Sequence, residues 1–405
     1  MLFADFSLSD ALLNRLTELG YQQPTPIQQQ AIPLILQGHD LQATAQTGTG
    51  KTAAFGVPLL QQLLCRPNEA QCRALVLVPT RELAQQVGQN LQQYAALTSL
   101  KILSLYGGID SQQQQRQLAA GCDLIVATPG RLLDHCRQGH LRLNQVQYLV
   151  LDEADRMLDM GFADELFAIL KKLPKERQTL LFSATQDQRM RSFSQRLLVS
   201  PRVIQTAPHN STVSHITERV YNIDKEQKVA ALCHLLRQHQ WPQALIFSRK
   251  REEADQLVAQ LKQAQFNAAA LHAELSQSVR EQVLTQFSQG QLALLVATDV
   301  AARGLDIDSL SAVINMELPF RSEDYVHRIG RTGRAGQSGL AISFLSVDDE
   351  PLLIKLESLL ERRLPQQWLP GFEPDLSRVA PATRKTRRGA LKQQARKQAL
   401  QRGRH

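Results

Sequence analysis

Residues 45–52 read Ala45-Gln46-Thr47-Gly48-Thr49-Gly50-Lys51-Thr52, directly after the short apolar run DLQAT. Glycines at this spacing let backbone N–H groups close around phosphate oxygens, and a helix beginning at the end of such a turn adds positive potential. Lys51 is then placed to reach the β- and γ-phosphates of a nucleotide, and the Thr52 hydroxyl to ligate Mg²⁺. The strict pattern asks for glycine at position 45, where this chain has alanine. About one hundred residues downstream, the run YLVLD ends in Asp152-Glu153-Ala154-Asp155. Adjacent acids at the C-terminal end of a buried strand lie where a parallel α/β sheet holds its ligand. Asp152 suits Mg²⁺ through water, and Glu153 suits the positioning and deprotonation of an attacking water. Taken alone, the acids could equally open a helix, since carboxylates favour the first turn.

Both motifs need a sheet to hold them. Runs rich in Val, Ile and Leu recur along the chain: ALVLV (74–78), KILSLY (101–106), DLIVAT (123–128), YLVLD (148–152) and TLLFS (179–183), then ALIFS (244–248), AALH (269–272), LALLVAT (292–298), AVINM (312–316) and AISFL (341–345). Their hydrophobicity is continuous, which predicts strands buried on both faces. Helical stretches between them predict parallel α/β sheets with right-handed crossovers. The runs fall into two blocks separated by the polar segment TAPHNSTVS (206–214), which reads as a linker. The expected organisation is a first domain over 1–205, a linker over 206–214, a second domain over 215–365, and a Pro-containing segment with a basic tail over 366–405.

The chain of 405 residues is 43% hydrophobic and 21% charged, which excludes a largely disordered protein. The long uncharged stretch Leu83 to Leu100 carries six Asn or Gln residues and cannot sit in lipid. The N-terminus lacks the basic lead-in of a secretory signal. Five cysteines without a C-x-x-C pair read as free thiols in a reducing, cytoplasmic setting. The net charge of +8 is unevenly spread: residues 378–405 hold ten Lys/Arg and no acid, leaving 36 bases against 38 acids elsewhere. A tail of this kind is expected to stay disordered and to track a polyanion.

The remaining motifs bring a resemblance. GYQQPTPIQ (20–28), the phosphate loop, PTRELA (79–84), Gly107-Gly108, TPGR (128–131), the DEAD tetrapeptide, SAT (183–185), LIFS (245–248), LSQSVR (275–280), ATDVAARGLDI (297–307) and HRIGRTGR (327–334) stand in order. Over residues 1 to about 375 the chain resembles the DEAD-box ATP-dependent RNA helicases of superfamily 2, and within them most resembles the bacterial RhlE-like branch. One departure is His272-Ala273-Glu274, where the family more often has His-Gly-Asp.

The resemblance implies two tandem RecA-like domains around a cleft, with ATP bound mainly by the first and completed by the second. Gln28 would read the N6 and N7 edge of adenine, since an amide donates and accepts at once. Tyr21 would stack on the base, with core packing as the alternative. Thr47, Gly48, Thr49, Gly50, Lys51 and Thr52 would hold the phosphates and Asp306 the ribose. Arg331 and Arg334 would act as arginine fingers. His327 and Asp155 with Ser183, Ala184 and Thr185 would couple the site to the domain interface. RNA contacts are expected from Pro79, Thr80, Arg81, Glu82, Gly108, Thr128, Gly130 and Arg131 of the first domain. Gln277, Arg280, Thr298 and Asp299 of the second would complete them, reading backbone shape rather than bases. The implied partner is RNA, single-stranded or a short duplex without sequence preference, and ribosome-assembly or RNA-decay complexes are the implied assemblies. The implied mechanism is domain closure on one strand, driven by ATP and RNA together and reversed by hydrolysis. Two rivals remain: an ATP-gated RNA clamp or remodelling scaffold with little unwinding, which the core motifs do not separate from a helicase, and a DNA-directed helicase or translocase of the same superfamily, against which Gln28, the DEAD tetrapeptide and TPGR argue.

Overall fold

The computed structural model describes residues 1–45, 48–65, 71–185, 188–205, 216–302, 310–333 and 339–375. The expected linker, the basic tail, and three site residues, Thr47, Asp306 and Arg334, lie outside them.

Fourteen strands form among the described residues. In the first half they are β1 (Leu41–Thr44), β2 (Ala74–Leu77), β3 (Ile102–Leu105), β4 (Leu124–Ala127), β5 (Tyr148–Leu151), β6 (Gln178–Ser183) and β7 (Arg202–Gln205). The second half supplies β8 (Ile216–Asn222), β9 (Ala244–Phe247), β10 (Ala268–Leu271), β11 (Leu294–Ala297), β12 (Ala312–Asn315), β13 (Gly339–Leu345) and β14 (Gln366–Gln367). They make two parallel sheets, ordered β3-β4-β2-β5-β6-β1-β7 and β10-β11-β9-β12-β13-β8-β14. Every residue of β2, β4 and β5 is buried, as continuous apolar runs require when helices cover both faces. All ten apolar runs form strands.

The strands without an apolar run are instructive. β7 is an edge strand with one buried residue of four, and β8 alternates buried and exposed positions at its start. Neither faces a full layer on both sides, so neither needs continuous hydrophobicity. The second sheet also extends past residue 365. β14 pairs with β8, Leu369 is buried in the same core, and the Asp375 backbone N–H donates to Asp224.

Two helices press the phosphate loop into place. Pro26–Leu36 starts with proline at its first turn and a reciprocal cap between Thr25 and Gln28. Lys51–Leu64 is apolar almost all round because it is enclosed by the sheet and neighbouring helices. Gly56 permits this enclosure: a Cβ there would lie 2.4 Å from Leu91 of the helix Arg81–Tyr94. Among the described residues no helix is long and apolar enough to cross a membrane.

Candidate functional site

Ligands of a parallel sheet sit beyond the C-terminal ends of its strands, and the strand order divides those ends into two groups. β5, β6 and β1 are adjacent and deliver Asp152-Glu153, Ser183-Ala184-Thr185 and the phosphate loop. β3, β4 and β2 form the other half and deliver Gly107-Gly108, Thr128–Arg131 and Pro79–Glu82. The residues expected to hold a nucleotide and those expected to contact RNA are thus side by side on one sheet edge.

On the nucleotide half, Gly50 adopts φ +87°, a conformation that favours glycine, and opens the helix at Lys51. Gly48 has φ +80°. Lys51 is buried, and its ammonium donates to the Ala45 carbonyl at 3.2 Å. Ala45 itself continues β1, its N–H donating to Ser183 O at 3.1 Å; the chain is still strand-like there, so alanine fits where the strict motif has glycine. Gln28 is almost fully buried. Its Nε2 donates to Gly50 O at 3.1 Å, and its Oε1 accepts from the Thr25 N–H at 2.9 Å. Thr25 Oγ1 donates to Thr49 O at 2.9 Å. The residue expected to read adenine therefore also braces the phosphate loop, with one N–H and one lone pair left for a ligand. Tyr21 packs edge-on against Phe3 and Tyr94 and bonds the Tyr94 hydroxyl at 2.7 Å. Its ring lies against the first domain's core, which is the packing alternative to the base stacking expected of it.

Asp152 ends β5 and is buried. Its Oδ1 accepts from the Glu153 N–H at 2.9 Å, and burial pushes its carboxyl up to about 6. Glu153 occupies the left-handed region at φ +50°, a strained position for a side chain of its size. Burial pushes its carboxyl up, but the charges of Arg156, Lys51, His327 and Arg331 outweigh that and hold it below its ordinary value. Two of those charges belong to the second domain. Asp155 takes a different part: its Oδ2 accepts from the N–H groups of Ala184 (3.0 Å) and Thr185 (2.9 Å) and from Thr185 Oγ1 (3.0 Å). Ser183 Oγ donates to Thr185 O at 2.8 Å. Asp155, Ser183, Ala184 and Thr185, expected to couple the site to the interface, are one hydrogen-bonded unit.

A cavity between the domains is lined by Lys51, Glu153, Asp155 and Thr185 from one side and His327 and Arg331 from the other. Arg321 and Asp159 form an ion pair across the same boundary.

A second groove, of about 580 Å³, opens on the other half of the sheet edge. Pro79, Thr80, Arg81, Glu82, Gly108, Thr128, Gly130 and Arg131 line it, with Arg280 from the second domain. Gly130 has open space where a Cβ would project. Gly108 has φ +91°, and a Cβ there would lie 2.4 Å from the Arg81 guanidinium and 3.1 Å from Gln277. Several residues expected to face RNA are already engaged within the protein. Arg131 donates to the carbonyls of Tyr106 (3.3 Å) and Ile109 (3.1 Å), holding the Gly107-Gly108 turn. Glu82 and Arg280 approach to 2.8 Å across the domain boundary, both buried, as an ion pair without an aligned hydrogen bond. Asp299 binds Arg328 through both carboxylate oxygens, at 2.6 and 2.8 Å, so its charge serves the second domain's interior. Thr298 is nearly buried at the end of β11, its N–H donating to Leu271 O. Gln277 donates to Glu281 on its own helix.

The three residues of the His272-Ala273-Glu274 departure have separate settings. Glu274 pairs with Arg251 at 2.5 Å, His272 with Asp255 at 3.0 Å, and Ala273 lines the groove. Sequence reasoning missed Met160, Phe162 and Val300, which also line the groove, and Arg156, which touches both Glu153 and Val300. Arg156 directly follows the acidic tetrapeptide, and that adjacency is the signal by which it could have been found.

Comparison with known proteins agrees with this geometry. Residues 25–193 match the family model "DEAD/DEAH box helicase", and residues 227–336 match "Helicase conserved C-terminal domain". The chain is 40% identical to the DEAD-box ATP-dependent RNA helicase CshA of Bacillus subtilis over 374 residues, covering 92% of this chain and 75% of that protein. Among solved structures, it superposes on S. cerevisiae Dbp5 bound to RNA and ADP BeF3 with a TM-score of 0.83 at 30% identity, covering 90% of this chain and 95% of that one. Against a Dbp5 variant bound to Nup159, Gle1, IP6 and ADP, the TM-score is 0.63 at 28% identity, with 90% and 96% covered. The arrangement of the two domains is thus nearer that of the RNA-bound complex.

Proposed function

The chain belongs to the DEAD-box family of ATP-dependent RNA helicases, and on that premise we propose a division of labour among its residues. ATP occupies the shared cavity, with Lys51 and the Gly48–Gly50 turn on its phosphates and Gln28 on its adenine. Glu153 accepts the proton of the attacking water. Arg331 neutralises the charge that develops on the transferred phosphoryl group, and Arg334, by its motif, does the same. RNA lies along the second groove. The observation that carries this reading is geometric: one cavity is lined by Lys51 and Glu153 from the first domain and by His327 and Arg331 from the second. The proton acceptor and its charge partners meet only when the domains are together.

Mg²⁺ fits the site. Asp152 is a buried carboxylate at the end of β5, an oxygen donor of the kind Mg²⁺ takes, and Thr52 follows the phosphate-binding lysine. Mg²⁺ is commonly held by one or two carboxylates together with substrate phosphates, which suits so small a donor set. When bound, it would neutralise phosphate charge.

Closure links the two ligands. The nucleotide cavity and the RNA groove each take residues from both domains, so each ligand favours the arrangement that the other prefers. The groove walls are small residues and backbone turns, which suit phosphate and 2′-OH contacts without base readout. Gripping one strand in this way predicts local melting of short duplexes in the cytoplasm, with ribosome assembly or RNA decay as the fitting settings. The test is Glu153→Gln in RNA-stimulated ATPase and short-duplex displacement assays. The amide should slow turnover by at least about a hundredfold, the lower range for losing a general base, while ATP and RNA remain bound. Normal hydrolysis by this variant would remove Glu153 from its role. Full ATPase with no strand displacement by the parent would favour the clamp reading, and equal stimulation by DNA the translocase.

A further inference from the structure

Arg156 lies between the two ligand sites. Its side chain is buried at 6% exposure. One terminal nitrogen, Nη1, pairs with Glu153 Oε2 at 3.4 Å. The other, Nη2, crosses the domain boundary and donates to the Val300 carbonyl at 3.2 Å. Nε is buried without a hydrogen-bond partner, so the two terminal nitrogens alone orient the guanidinium.

What Val300 touches gives this bridge its meaning. It sits on the one-turn helix Asp299–Ala302, and its half-exposed side chain lines the RNA groove. The preceding residue, Asp299, clamps Arg328 with two bonds, and Arg328 also donates to Asn315 Oδ1 (3.0 Å) and Glu317 O (2.8 Å). Three residues beyond Arg328 stands Arg331. One turn therefore lines the groove, anchors the arginine-finger segment, and holds Arg156 by a backbone carbonyl.

We infer that Arg156 is the positioning residue through which RNA occupancy reaches the ATP site. RNA in the groove immobilises the Asp299–Ala302 turn, the Val300 carbonyl then fixes Nη2, and the guanidinium holds the Glu153 carboxylate in its working orientation. With the domains apart, Nη2 loses Val300, and Glu153 is paired with an arginine that is free to swing. The inference rests on Glu153 as the proton acceptor, but its binding readout does not need that chemistry.

The test uses the full chain with Arg156→Met and Arg156→Lys. RNA affinity is measured with and without a non-hydrolysable ATP analogue, and ATPase with and without RNA. For Arg156→Met, the stimulation of ATPase by RNA should fall about tenfold, the effect of one charge-assisted hydrogen bond. The gain in RNA affinity on adding the analogue should fall by a similar factor, while nucleotide-free RNA affinity stays at the parent value. Lysine has one compact ammonium and cannot reach both acceptors. Arg156→Lys should therefore also lack the RNA response and the affinity gain. If Arg156→Met keeps both the stimulation and the affinity gain, the inference fails. It fails equally if nucleotide-free RNA affinity and the unfolding midpoint drop together, since that marks a packing role. Should the methionine variant not fold, the lysine variant decides by the same criteria. A Glu153→Gln variant with normal turnover would overturn the proton-acceptor reading while leaving the affinity gain to judge Arg156.

Discussion

Glu82 and Arg280 offer a direct measure of domain closure, because each belongs to a different domain and their 2.8 Å approach exists only when the domains meet. Both are under a tenth exposed in the closed arrangement. Apart, each returns to water. Glu82→Ala leaves Arg280 buried without its counter-charge, a change that costs about 3–5 kcal/mol for a fully buried pair. The pair lacks an aligned hydrogen bond, so a lower figure of about 2–3 kcal/mol applies, and it weighs on the closed state alone. That converts to roughly a 30- to 150-fold loss of RNA affinity in the presence of a non-hydrolysable ATP analogue. Nucleotide-free RNA binding should hardly change. Fluorescence anisotropy of a labelled single-stranded RNA, with and without the analogue, reads both quantities. Arg280→Met should behave likewise, and the double variant should lose far less than the sum of the singles. If the losses add, or if nucleotide-free binding weakens equally, the two side chains act separately on RNA and the closure argument is wrong.

Gln28→Ala removes a bond to the Gly50 carbonyl as well as an adenine contact, so ATP should weaken by about tenfold or more and the preference for ATP over GTP should shrink; an unchanged preference in nucleotide-dependent unwinding would confine Gln28 to bracing the loop. A chain ending at Asp375 keeps every described residue and should keep its maximal ATPase rate. It should need more RNA to reach that rate and show a shallower salt dependence, by a slope of about 0.7 for each single-strand phosphate that the tail no longer neutralises; equal half-saturation and equal slopes for both chains would make the basic residues bystanders.

The two sheets were legible because a parallel sheet covered on both faces demands unbroken apolar runs, and ten such runs stand out. β7, β8 and β14 were not legible, since edge and half-covered strands carry mixed residues that resemble loops. The residues proposed to hold the nucleotide stood out for a similar reason: Gly48–Thr52 and Asp152–Asp155 are contiguous and the proposed chemistry needs those residue types. The groove was read less fully. Its walls combine distant single residues, and Arg131, Asp299, Glu82 and Arg280 carry charge that suits RNA and protein partners alike. Only their neighbours show that Arg131 holds the Gly107-Gly108 turn and that Asp299 holds Arg328.

The sequence by itself determined the chemistry available and the elements that present it, because phosphate loops, strand-end acids and apolar periodicity are local properties of consecutive residues. The tertiary structure alone decided how those parts are dealt out. Strand order is set by crossovers, so β1, far from β5 along the chain, lies close to it with only β6 between, while β2, β3 and β4 carry the residues proposed for RNA to the other half of the edge. The apposition of Glu153 with Arg331, of Glu82 with Arg280, and of Arg156 with Val300 depends on two domains meeting. No local pattern encodes that meeting, since each partner's backbone and side chain would be equally well satisfied by water until the other domain arrives.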